Sequence, residues 1–127
     1  MTGYVGNIEE KAIANSNFRE VVFTGTYCQL VVMCLKPGEE IGSEVHKSVD
    51  QFFRIEEGKG KVIINGEGNL FTSGVGIVVP ASSEHNVINV SSNADLKLYT
   101  VYSPPQHKDG VIHKTKKDAM ADETDHL

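Results

Sequence analysis

The chain has 127 residues, 39% of them hydrophobic and 23% charged, and its twelve Lys and Arg against seventeen Asp and Glu leave a net charge of −5. This length suits one domain with core enough to fold without a disulfide or a metal. The acidic balance argues against nucleic acid, which requires a basic face. The longest apolar run, residues 30–35, is far too short to span a membrane. The first twenty residues have neither the basic start nor the apolar stretch of a secretory signal. The expectation is a cytoplasmic protein without nucleic-acid or membrane partners.

In chain order, the first fifteen residues read as an arm or a short first strand. Short runs rich in Val, Ile, Phe and Tyr, bounded by Gly, Pro, Asn or Ser, then predict strands over 20–24, 27–36, 41–46, 51–57, 61–65, 69–72, 76–79, 85–90 and 95–102. Cys28 and Cys34 lie in the second run, on one face but about 20 Å apart at about 3.3 Å per residue. They cannot bridge each other, and they read as reduced core residues. Both faces of that run are apolar, so one can fill a barrel while the other packs on a further strand layer or on a second copy of the chain.

The pairs Gly58-Lys59-Gly60, Gly66-Glu67-Gly68 and Gly74-Val75-Gly76 recur every eight residues, the turn rhythm of an all-β sandwich or barrel. None has the strand–helix context of a nucleotide loop. Asn65-Gly66 is a favoured hairpin turn. Asn89-Val90-Ser91 matches a glycosylation acceptor, which without a secretory signal is a chance match. After an extended connector containing Pro104-Pro105, Thr115 predicts the cap of a short helix over 116–123. The whole, 1–127, reads as one domain, with a barrel over about 18–103 and a tail over 104–127.

Two segments place polar residues where a β pattern buries them. In the first, Glu44 and His46 are two apart and point the same way, and Gln51 shares its face with Phe53 and Ile55. In the second, His85 shares a face with Val87 and Asn89. Phe53, Ile55, Val62, Ile64 and Val87 are wall or core residues, while Arg54, Glu56 and Glu57 read as solvated edges.

These segments resemble the paired motifs of the cupin superfamily, in its small single-barrel form. Gly38, Glu44, His46, Gln51 and Gly58 stand in the places of the first motif. Gly74, Pro80, Ser82, His85 and Asn89 stand in those of the second, with Ser82 replacing a glycine. The resemblance implies an all-β, double-stranded jelly-roll barrel, here followed by a short C-terminal helix, and commonly a homodimer. It also implies one divalent transition metal ion (Fe, Mn, Ni, Co or Zn) held by two histidines of an H-x-H, an acidic residue and a later histidine. This chain offers Glu44, His46, Gln51 and His85 instead. One carboxylate and two imidazoles still suit such an ion. Gln51 either ligates through its carbonyl oxygen or acts catalytically by orienting water, substrate or oxygen. The alternative is a metal-free polar network in which each buried group finds a partner.

The function implied is metal-dependent enzyme chemistry, dioxygenase-like or otherwise Lewis-acid, on a small organic molecule. A sugar isomerase of the mannose-6-phosphate type is an alternative, but phosphate recognition wants Arg or Lys facing the cavity. The chain has only Arg19 and Arg54, and Arg54 lies opposite Gln51. A non-catalytic binding or sensing module is the other alternative. His107, His113 and His126 read as solvated tail histidines, although the proline-stiffened tail can turn across the barrel mouth as a lid.

Overall fold

A computed structural model describes residues 2–125, so His126 lies outside the described residues. In chain order the elements are α1 (Ile8–Ala14), β1 (Arg19–Thr24), β2 (Gln29–Leu35), β3 (Asp50–Glu57), β4 (Lys59–Ile64), β5 (Glu67–Thr72), β6 (Gly76–Val79), β7 (His85–Asn89), β8 (Leu96–Ser103), β9 (Ile112–His113) and α2 (Lys116–Ala121). The strands form two antiparallel sheets, one ordered β6-β3-β8-β2-β1-β9 and the other β5-β4-β7. This is the jelly-roll barrel with a short C-terminal helix.

Alternation decides what enters the barrel. On β3, Gln51, Phe53 and Ile55 are buried, whereas Phe52, Arg54 and Glu56 are only partly so. Phe53 and Ile55 meet Val31, Met33, Leu35, Val62, Val87, Leu96, Leu98 and Tyr102 in one core cluster. Asn65-Gly66 closes the β4–β5 hairpin as expected, both residues at positive φ (49° and 83°) and Ile64 paired with Glu67. Gly60 marks a close approach, where a Cβ would lie 2.4 Å from Phe71 Cζ and 2.5 Å from the Ile88 carbonyl oxygen.

Four expectations change. The N-terminal arm is a helix: Asn7 caps α1 by accepting from the Glu10 amide at 3.0 Å, and Ala12 is fully buried. This helix packs on β2, β3 and β8, so the outer face of β2 is covered in part by the chain's own N-terminal helix and not by another strand layer. Residues 41–46 form no strand. Only isolated bridges, Glu40 to Ile88 and Glu44 to His85, tie the segment down, and Gly42 at φ 107° interrupts extended pairing. Cys28 is exposed because a turn between Gly25 and Cys28 precedes β2, while Cys34 is buried and its thiol pKa is pushed up by desolvation. Glu56 is not solvated: its side chain is 6% exposed, with its carboxylate 3.1 Å from Arg54 Nε.

Asn89, the last residue of the second motif, is a clasp. It is buried, and its Nδ2 donates to the carbonyl oxygens of Leu35 (3.0 Å), Lys36 (3.1 Å) and Ala94 (2.9 Å), while Oδ1 accepts from Ser91 N at 2.9 Å. One side chain thus joins the ends of β2 and β7 to the loop before β8. Asn89→Ala leaves several buried backbone groups unpaired and is expected to cost about 3 kcal/mol, read as a lower urea midpoint at unchanged m-value.

Candidate functional site

Three chain segments bring the site together. The paired backbones of Glu44 and His85 exchange both amide bonds, at 2.9 Å each. This places the irregular 41–46 segment against the start of β7. The His46 and His85 ring centroids are 5.5 Å apart, and Glu44 Oε2 lies 3.4 Å from His46 Nε2. Gln51 enters from β3, buried, with its Nε2 donating to Thr100 Oγ1 of β8 at 3.0 Å.

Each imidazole is constrained differently. His85 is buried, its ring 6.3 Å from that of Phe53, and its Nδ1 meets the Ser83 carbonyl oxygen at 3.0 Å. A carbonyl only accepts, so Nδ1 carries a proton, and in the neutral ring Nε2 keeps its lone pair. His46 has its pKa lowered by burial, with the Glu44 carboxylate pulling the other way. Its Nε2 and the Gln51 Oε1 are buried without a hydrogen-bond partner. Glu44, His46 and His85 therefore lie together, and Gln51 comes near them across Tyr102, which faces it on β8 and packs on His46. Among the described residues, however, no three His, Cys, Asp or Glu side chains form a ready metal cage. The donor chemistry, two imidazoles, one carboxylate and one amide oxygen, fits a divalent transition ion.

The surrounding polar residues are less visible in the sequence. Arg19 is buried on β1, stacked 5.3 Å from the Phe18 ring centroid, with Nη1 3.4 Å from His113 Nδ1. It shares a cavity of about 310 Å³ with Glu44, His107, Met120, Asp122 and Asp125. The signal for Arg19 was its two-residue spacing from Val21, another buried residue of β1. Gln29, wholly buried in β2, clamps the tail by donating from Nε2 to the His107 carbonyl oxygen (2.7 Å) and accepting from His107 N (2.9 Å).

The tail histidines are not solvated. His107 and His113 are 8% and 5% exposed. His113 Nε2 meets Asp122 Oδ2 at 3.0 Å, which holds the Asp122 carboxyl below its usual range. His107 Nδ1 meets Asp125 Oδ2 at 2.7 Å, and its Nε2 meets the Tyr102 hydroxyl at 3.1 Å. The Tyr102 ring in turn packs edge-on against His46, 6.0 Å between centroids. The tail thus reaches the site through Tyr102.

Burial lowers the His107 pKa to about 4, with Arg19 assisting and Asp125 opposing. Desolvation pushes Tyr102 up to about 12. A histidine held neutral in the fold binds its proton first in the unfolded chain, so its contribution is whole above about pH 6.5 and drains as pH falls towards 4. Holding the imidazole neutral down to about pH 4 adds an acid sensitivity on the order of 3 kcal/mol, at about 1.36 kcal/mol for each tenfold change in proton affinity. Urea midpoints at pH 7 and pH 4.5 should therefore fall less in His107→Gln than in wild type. Equal falls would show that His107 is not among the titrating groups.

Comparison with known proteins agrees with this architecture. The family model described as Cupin domain matches residues 31–102. YrkC of Bacillus subtilis, an uncharacterised protein, is 44% identical over 94% of this chain and 67% of its own length. Protein L612 of Acanthamoeba polyphaga mimivirus, also uncharacterised, is 42% identical over 86% of this chain and 70% of its own. The crystal structure of BH2720 from Bacillus halodurans superposes with a TM-score of 0.91 at 40% identity, covering 94% of both chains. The chain belongs to the cupin family.

Proposed function

We propose that this cupin is a metal-dependent enzyme acting on a small organic molecule, with Glu44, His46, Gln51 and His85 holding one divalent transition ion. The observation that carries the reading is the pair of buried polar atoms without a hydrogen-bond partner, His46 Nε2 and Gln51 Oε1, beside a histidine whose other nitrogen is tied to a carbonyl. A buried polar atom left unpaired costs about 1–3 kcal/mol, and one cation relieves both. When bound, the ion would act as a Lewis acid on a substrate oxygen.

The chain's own residues supply the rest. Glu44 offsets one unit of the ion's charge, and the Ser83 carbonyl fixes the tautomer and direction of His85. The apolar wall, with Phe53, Ile55 and Val87 at 0–1% exposure, keeps water from the barrel side of the site. The cavity between α2 and the barrel suits a small molecule. Arg19 brings a cation to that cavity, but Glu44, Asp122, Glu123 and Asp125 line it as well, so a doubly charged sugar phosphate is the poorer fit.

Metal analysis of the purified protein should find about one transition ion per chain, and Glu44→Ala with His85→Ala should lower its affinity at least a hundredfold. Full metal content in the double variant would overturn the assignment. Oxygen-uptake and product screens with diketones, phenols and keto acids should show turnover by the loaded protein. Metal binding without any turnover would favour the non-catalytic binding module.

A further inference from the structure

Three residues outside the proposed ligand set form a chain of hydrogen bonds that starts in the tail and ends beside Gln51. Asp125 Oδ1 accepts from Lys108 N at 2.8 Å, and its Oδ2 meets His107 Nδ1 at 2.7 Å. His107 Nε2 meets the Tyr102 hydroxyl at 3.1 Å. Asp125, His107 and Tyr102 are 4%, 8% and 2% exposed, so the bonds are sheltered from exchange with water. Tyr102 on β8 stands directly across from Gln51 on β3, both buried, where facing side chains are within reach of each other.

Hydrogen-bond polarity runs one way along this chain. A carboxylate only accepts, so His107 Nδ1 carries the proton. In neutral His107, Nε2 must then accept, and Tyr102 must donate. The phenol oxygen is left with acceptor capacity alone towards Gln51. The Thr100 hydroxyl, the other partner of Gln51, can donate or accept and so cannot by itself decide which end of the amide turns inward.

We infer that Asp125 and His107 are positioning residues that pin Tyr102 as a donor to His107, so that its oxygen takes the Gln51 NH2 and Gln51 presents Oε1 to the metal. This rests on the metal-site reading above, with Gln51 as a ligand. A reversed amide would turn N–H donors towards a cation. Supports of metal ligands typically alter affinity about tenfold to a hundredfold when removed.

Two measurements test the arrangement. Nitrogen-15 NMR of the metal-free protein should show His107 with a protonated Nδ1 and an unprotonated Nε2. A proton on Nε2 would overturn the inference whatever the metal does. Co(II) titration should give about tenfold weaker binding in Tyr102→Phe, which keeps the ring against His46, and in Asp125→Ala. The double variant should be no weaker than the weaker single one. Wild-type Co(II) affinity in either single variant, even with a lowered Tm, would overturn the positioning role and leave the metal site standing. If wild type binds no Co(II), the metal site and the role towards it fail together, while the NMR result separately decides the hydrogen-bond polarity.

Discussion

Removal of polar side chains from water is the constraint around which this barrel is arranged. Gln29, Gln51, His85, Asn89, Thr100 and His107 are all buried, and an unpaired group there costs as much as several methylenes gain. Asn89 meets the demand with carbonyls from two segments, and Gln29 meets it with the backbone of the tail. At the site the demand is left partly unmet, at His46 Nε2 and Gln51 Oε1. Among the described residues Arg19 Nε, in the adjoining cavity, and Arg54 Nε, beside Glu56, are also without a hydrogen-bond partner, whereas the buried amides of Gln29 and Asn89 are fully paired.

The same constraint separates structural from functional polarity. Asn89 belongs to the second motif as His85 does, and from spacing alone the two look equally suited to a site. Their partners divide them: Asn89 spends every donor and acceptor on main chain, whereas His85 spends one nitrogen and keeps the other. The Asp–His–Tyr chain stands between these cases. It is fully paired within itself, yet its last member lies against both Gln51 and His46.

Much of the barrel was legible in the sequence because its signals are local. Two-residue alternation marks β3, and Asn65-Gly66 marks its hairpin. Fixed spacings bring Glu44, His46, Gln51 and His85 to one place. What stayed hidden depends on pairing between distant segments. Arg19 was overlooked because only the pairing of β1 with β9 brings it to His113. His107 and Asp125 lie in a stretch without periodicity, and their burial follows from the Gln29 clamp. The N-terminal helix did have a local sign, Asn7 with Glu10 three residues on. The segment 41–46 misled because Ile41 and Val45 flank residues that read as extended, whereas isolated bridges alone tie it to the barrel.

The sheet order also bears on how the chain reaches its fold. The β4–β5 hairpin joins neighbours and can close in microseconds. By contrast, β8 pairs with both β2 and β3, and Arg19 of β1 lies opposite His113 of β9. Such distant pairings must meet their loop-closure entropy before any contact compensates it, which places barrels of this kind among the millisecond-to-second folders. Because β8 lies between β3 and β2 in the larger sheet, its docking is the event that joins both sides of that sheet.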